Sequence, residues 1–108
     1  MKGDRLGEFE ELTLLAVRVL GGDTYAIPIR RYVEGATARS VALGAIYAAL
    51  GRLESKGFVE SSMGPATPKR GGKSKRLYTV TPLGFLTARE VHLVRERIWQ
   101  EITAVPRR

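Results

Sequence analysis

A single histidine, His92, and no cysteine leave this chain almost without nucleophiles or soft metal ligands. No serine or threonine has the partners that would activate it, and no pair of carboxylates is spaced for acid–base work. The residues therefore point away from an enzyme, with no cofactor and no metal site expected. One string, Gly72-Lys73-Ser74, invites comparison with a phosphate-binding loop. That loop needs a glycine five residues before Gly72, where Thr67 stands, and it should open a helix, whereas this segment runs toward a strand.

What remains is charge, and its position says more than its sum. The net charge is +7, but residues 1–20 carry 3 basic and 4 acidic side chains and residues 21–60 carry 5 and 4. Residues 61–80 carry 5 basic and none acidic, all within Lys69, Arg70, Lys73, Lys75 and Arg76, while residues 81–108 carry 5 and 3. Gly64, Pro65, Pro68, Gly71 and Gly72 interleave with these cations. Such a segment cannot pack as core, and its chemistry suits an arm that follows a phosphate backbone. A solvated basic loop is the plain alternative.

The elements that must present this loop come from one small domain of 108 residues, 44% hydrophobic and 27% charged. A chain of this size buries only roughly two-thirds of its unfolded surface, so a long exposed apolar face calls for a partner. Phe9, Leu12, Leu15, Ala16 and Val19 recur at helical steps, predicting a first helix over 8–20 that Gly21-Gly22 stops. A second helix is expected over Tyr25–Glu34, capped by Asp23 or Thr24 and ended by Gly35, with Pro28 near its first turn. Residues 36–42 read as connector. Leu43, Ile46, Leu50 and Leu53 form one stripe of a third helix that Gly57 ends. Its other face holds Gly44, Ala45, Ala48, Gly51, Arg52 and Ser55, small enough for close approach by DNA or by another helix. Phe58–Met63 and Arg76–Thr81 read as two antiparallel strands flanking the basic loop. Thr81-Pro82 then opens a long fourth helix to about Thr103.

Three helices, a hairpin with a cationic tip and a long final helix make the order of a winged helix-turn-helix: mainly α with a small β-hairpin, followed by a long C-terminal dimerisation helix. Residues 1–81 form the DNA-binding region and residues 82–105 the dimerisation helix of one compact domain. In this arrangement the third helix enters the major groove and the basic wing lies along the backbone. Tyr47 and Arg52, with Arg39 and Ser40 just before the helix and Gly44 at its start, are the candidates to approach bases or phosphates. Tyr47 has a second reading, packing on the hairpin, and Arg52 another, pairing with Glu54 or Glu60. A protein-interaction or RNA-binding module on the same scaffold is the alternative function. RNA readers expose stacking aromatics, and this loop carries none.

The residues resemble the PadR-like transcriptional regulators, dimeric winged-helix repressors. Gly44-Ala45-Ile46-Tyr47-Ala48-Ala49-Leu50-Gly51-Arg52-Leu53-Glu54 with Gly57-Phe58-Val59 is similar to the family's Gly-x-Leu-Tyr-x-x-Leu-x-x-Leu-Glu run and its continuation. Arg76-Leu77-Tyr78-Thr79-Val80-Thr81-Pro82-Leu83-Gly84 is similar to its basic-x-Tyr-x-Leu-Thr-x-x-Gly. Asp23-Thr24-Tyr25 keeps only the tyrosine of the family's His-Gly-Tyr, and Ala45 and Ala48 replace its frequent Ser or Thr and Pro. The resemblance implies a phosphate contact for Tyr25. It also implies a homodimer formed by the first and last helices, here through Phe9, Val91, Val94, Ile98, Trp99 and Ile102, and a pseudo-palindromic double-stranded DNA operator. Trp99 stands where some relatives bind a planar hydrophobic effector between subunits, although an interface anchor is the simpler role for it. The acidic N-terminal residues Asp4, Glu8, Glu10 and Glu11 do not read as a secretory signal. The longest largely apolar run, Leu12 to Val17, is far too short to span a membrane, so a cytoplasmic protein is expected.

Overall fold

The computed structural model describes residues 5–65 and 74–106. The chain runs α1 (Glu8–Val19), α2 (Ala26–Thr37), α3 (Leu43–Ser55), β1 (Val59–Met63), β2 (Arg76–Val80) and α4 (Pro82–Ala104). This is the winged helix-turn-helix order with a long last helix. β1 and β2 pair antiparallel with Val59 opposite Val80, Ser61 opposite Tyr78 and Met63 opposite Arg76. Lys69, Arg70 and Lys73 lie outside the described residues, between the two strands.

α3 is the hub of the core. Ile46, Ala49, Leu50 and Leu53 are fully buried, against Leu14 and Val17 of α1, Ile29 and Val33 of α2, and Phe58 and Val59 at the start of the hairpin. Each large aliphatic side chain so buried contributes roughly 1.5–3 kcal/mol relative to exposure, which is why a stripe of spacing 3, 4 and 3 specifies a helix and its inner face together.

Two expectations about α2 change. Neither Asp23 nor Thr24 caps it: Tyr25 is the N-cap residue, without a side-chain cap. Asp23 instead takes a left-handed conformation, φ 49°. Thr24 forms a bridge to Tyr78, donating to its carbonyl at 3.3 Å and accepting from its amide at 2.7 Å. The polar residues there serve the hairpin, through a single-residue bridge that extends β2's pairing beyond β1. The helix also runs through Gly35 to Thr37 and stops only where Ala38 turns left-handed, φ 55°. A glycine costs a helix interior about 1 kcal/mol, and burial of Val33 in the core shared with α1 and α3 outweighs it. Pro28 sits at the third helical position, where its missing N–H is one of the first-turn donors that no helix pairs, so the helix is not interrupted.

α4 begins in a tight foot. The Thr81 hydroxyl accepts from the Gly84 amide at 3.0 Å and donates to the Gly57 carbonyl at 2.7 Å. Gly84 is required there, because a Cβ would fall 2.1 Å from the Phe58 carbonyl oxygen. Beyond this foot, Ala88 is the last buried residue of α4, and everything after Val91 is exposed.

Candidate nucleic-acid interface

The outward face of α3 carries no covering element among the described residues. Gly44, Ala45, Ala48, Gly51 and Ser55 are all exposed, and a Cβ built on Gly44 or Gly51 meets nothing within 4 Å. No helix of the same chain packs there, so the small residues are not explained by internal helix packing. Tyr47 projects from this face, 51% exposed. Arg39 and Ser40, in the turn before α3, are exposed as well. That turn is braced: the Val41 amide donates to the Glu34 carboxylate at 2.9 Å, and Glu34 also pairs with Arg30 at 3.7 Å.

Arg52 has a different partner from the two anticipated. Neither Glu54 nor Glu60 takes it; its Nε donates to Glu10 of α1 at 2.7 Å. Glu10 also accepts from Lys56 Nζ at 2.6 Å and from the Gly7 amide at 3.1 Å. Burial alone would raise the pKa of Glu10, but hydrogen bonds from Lys56, Gly7 and Arg52 outweigh it and hold the carboxyl at about 2. Glu10 is therefore ionised at neutral pH and clamps the C-terminal half of α3 to α1. Arg52 belongs to this clamp, and its guanidinium is not a free cation.

At the hairpin, residues far apart in the chain come together. Lys75 Nζ lies 4.1 Å from the centroid of the Tyr25 ring, joining the returning strand of the wing to the start of α2. A cation over the ring and a phenolic hydroxyl form a compact donor group at one place. Arg76 is tied inward: its Nη1 donates to Ser61 Oγ at 2.9 Å, and Ser61 Oγ donates to Glu54 at 2.6 Å. This chain links β2, β1 and the last turns of α3, so that wing and helix are held at one angle. Ser61 was not singled out from sequence, and Glu54 was offered there only as a partner for Arg52 and as the end of the family-like run. The pairing register carries the signal, because Ser61 and Met63 share a face and Met63 lies opposite Arg76.

The residues expected at a dimer contact divide into two groups. Phe9 and Val91 are half-buried, and Phe9 packs on the core of its own chain. Val94, Ile98 and Ile102 are about half exposed and Trp99 is 62% exposed, along the part of α4 that has left the domain body. Leu12, Leu15 and Val19 of α1 line a second apolar groove with Tyr32, Val33 and Ala36 of α2. Arg95 anchors α4 to α1 through Glu11 at 2.8 Å, and Arg18 covers the Phe85 ring at 5.1 Å. Sequence reasoning missed both contacts. Among the described residues no cluster of His, Asp or Glu is arranged to hold a metal, and no helix is long and apolar enough to cross a membrane.

The family model of the transcriptional regulator PadR-like family matches residues 14–90. Among curated proteins none matches the sequence. Solved structures resemble the fold over most of their length. A PadR-like transcription factor from Bacteroides fragilis has a TM-score of 0.73 at 19% identity, covering 91% of this chain and 89% of its own. A transcriptional regulator from Clostridium thermocellum has a TM-score of 0.69 at 20% identity, covering 92% and 91%. The complex structure of hsRosR-S4 has a TM-score of 0.63 at 24% identity, covering 98% and 80%. At these identities the likeness concerns the fold.

Proposed function

The chain belongs to the PadR-like family of transcriptional regulators, a family of regulators and not of enzymes, and from that premise we propose that it is a dimeric, sequence-specific repressor acting on double-stranded DNA in the cytoplasm. The observation that carries this reading is the uncovered face of α3, made of glycine and alanine around one exposed tyrosine. A helix that must bring its backbone close to base edges needs small residues on its outer side, and Tyr47 supplies a hydroxyl and a ring within that face.

The other contacts follow from charge. Lys75 and Tyr25 meet a phosphate together, and Arg39 and Ser40 meet the backbone beside the entering helix. Lys69, Arg70 and Lys73 add the loop charge, as the salt-sensitive, sequence-independent part of affinity. Arg76, bound to Ser61, acts first by fixing the wing and only then as a cation.

Dimerisation is supported by length matching. The exposed stripe Val94, Ile98, Ile102 spans about 12 Å at 1.5 Å per residue, and the α1 wall from Leu12 to Val19 about 10 Å. A second copy's α4 laid on α1 buries both, and the two-fold axis presents two recognition helices to half-sites about one helical turn apart. Trp99 anchors that interface, and a planar hydrophobic effector inserted beside it would loosen DNA binding.

Selection of bound duplexes from a random library at about 0.15 M salt tests the reading. An enriched inverted repeat supports it. A library that emerges unchanged removes sequence specificity. Charge reversal at Lys75 and Arg76 should lower affinity and flatten its salt dependence, and survival of both would remove the wing from the interface.

A further inference from the structure

α4 carries a second apolar stripe, which neither the core nor the proposed dimer contact uses. Leu83, Leu86, Glu90, Leu93 and Arg97 follow one another at steps of 3, 4, 3 and 4, the spacing of a helix-pairing seam. The side of α4 turned to the domain body carries Gly84 and Ala88, both buried, and Arg95, which pairs with Glu11 of α1. At about 100° per residue, Leu86 and Leu93 lie roughly half a turn round the helix from that side. The three leucines are each about half exposed, and Glu90 and Arg97 are exposed with no ion pair among the described residues. Glu90 has no basic residue three or four positions away on α4 to neutralise it. Ile98, Trp99 and Ile102 lie at least about a quarter-turn from the midline of the seam, so the dimer contact leaves the seam open.

We propose that this seam is a second self-association surface, on which another copy of the chain lays its own α4 antiparallel, with Leu93 of both copies near the two-fold axis. Charge selects both the occupant and the direction. The stripe holds one acid and one base, on either side of Leu93. In an antiparallel pair each Glu90 comes beside the partner's Arg97, and symmetry makes the contact twice. A parallel pair sets Glu90 against Glu90 and Arg97 against Arg97, which opposes it at both places. The leucines supply the attraction and the charges fix the register. Leu93 is also the midpoint of α4 (Pro82–Ala104), so the two helices overlap along their whole length. One helical stripe buries much less than the roughly 1,600 Å² of a standard stable interface, and a Kd on the order of 100 µM is expected. The contact itself stands apart from the readings above; what it assembles, dimers side by side on DNA, rests on them. There, at an effective concentration of about 1 mM, it makes a second dimer bind about tenfold tighter than the first.

Sedimentation equilibrium of the full chain, with Ile98→Glu to remove the other contact, isolates the seam. Between about 10 and 500 µM this variant should still pair, with a Kd on the order of 100 µM. Adding Leu86→Gln and Leu93→Gln should weaken pairing at least about tenfold and leave the helical content unchanged, because both side chains are half exposed. Glu90→Arg or Arg97→Glu alone should each weaken it about fivefold, and the two together should restore it. These substitutions move the net charge in opposite directions, so an effect of overall charge would give them opposite signs. The chain has no cysteine, so single cysteines report the direction. Leu93→Cys should cross-link to its own copy under mild oxidation, whereas Leu86→Cys should not, the antiparallel pair holding those positions roughly 20 Å apart. No pairing by Ile98→Glu up to about 500 µM, pairing indifferent to the glutamines, charge reversals without mutual rescue, or equal cross-linking at both positions would each overturn the seam. A different protein as its natural occupant predicts the first of these. On a mixed-sequence duplex with room for two dimers, at about 50 mM salt, the glutamine pair should abolish the tenfold cooperativity. Cooperativity that survives it overturns the side-by-side assembly. Absence of DNA binding, or a parent chain no more associated than Ile98→Glu, strikes the underlying readings instead, and the sedimentation and cross-linking results then judge the seam alone.

Discussion

α3 and α4 each bury one face and expose another, but what they expose differs in size. α3 is covered along its whole inner side by α1, α2 and the hairpin, and shows glycine and alanine outside. α4 is covered only near its foot, and from Val94 onward it shows valine, isoleucine and tryptophan. A surface of small residues admits a rigid partner's grooves close to the backbone, whereas large apolar residues reward a partner that excludes water from them. On the proposed reading the two helices suit different kinds of partner, nucleic acid for α3 and protein for α4.

The comparison breaks most severely if α4 loses its foot. Gly84→Ala places a methyl 2.1 Å from the Phe58 carbonyl oxygen, where backbone and not a flexible side chain must move. A loss of roughly 3 kcal/mol or more is expected in urea unfolding. A loss below about 1 kcal/mol would mean that α4 swings without disturbing the core, and that its orientation is not part of the fold.

Next in size is Ile98→Glu. The side chain is half exposed in one chain, so the isolated fold should keep its helical content, while a charge at the centre of the proposed dimer contact should weaken self-association by about 3 kcal/mol, roughly a hundredfold. Sedimentation equilibrium reads it. A monomer before substitution, or unchanged association after it, would remove protein from the outer face of α4.

The C-terminal end of α3 carries a pH signature through Glu10. Its folded pKa of about 2 lies below the ordinary 4.5, so the stability it contributes is fully present above about 4.5 and disappears as pH falls from there toward 2. The amount is on the order of 2 kcal/mol, since the carboxylate is buried although Arg52 is half exposed. Glu10→Gln should lower neutral-pH stability by about that much and flatten the acid limb of the stability curve. An unchanged limb would show that the α1–α3 clamp does not hold in solution.

What could be read from sequence follows distance along the chain. The stripe Leu43, Ile46, Leu50, Leu53 and the start of α4 at Thr81-Pro82 are local patterns, and both stand as expected. The end of α2 was misplaced because Gly35 is a local stop that packing of its neighbours overrides. Thr24 looked like a cap because its pairing with Tyr78 spans more than fifty residues. The same holds at the candidate interface. The uncovered face of α3 was visible as a run of small residues. The partner of Arg52 was not, because Glu10 sits 42 positions away and two nearer carboxylates offered themselves. Lys75 and Tyr25 were each legible as cation and tyrosine, but only the fold shows that they form one group.

The gentlest change sharpens the comparison most, because it separates folding from function on a single residue. Gly51 lies mid-helix on the outer face of α3, with φ in the ordinary range and open space where a Cβ would stand. Alanine there removes conformational freedom from the unfolded chain and meets nothing in the folded one, so Gly51→Ala should raise stability by about 0.5–1 kcal/mol. Glutamate at the same position also fits the space and is a competent helix former, so Gly51→Glu should unfold within about 0.5 kcal/mol of the parent. Its effect on duplex binding should be far larger, about tenfold or more, because a carboxylate now occupies the place a phosphate or base edge must approach. Equal duplex affinity for Gly51→Glu and the parent would show that the open face of α3 is simply open, and the small residues on it would then need another explanation.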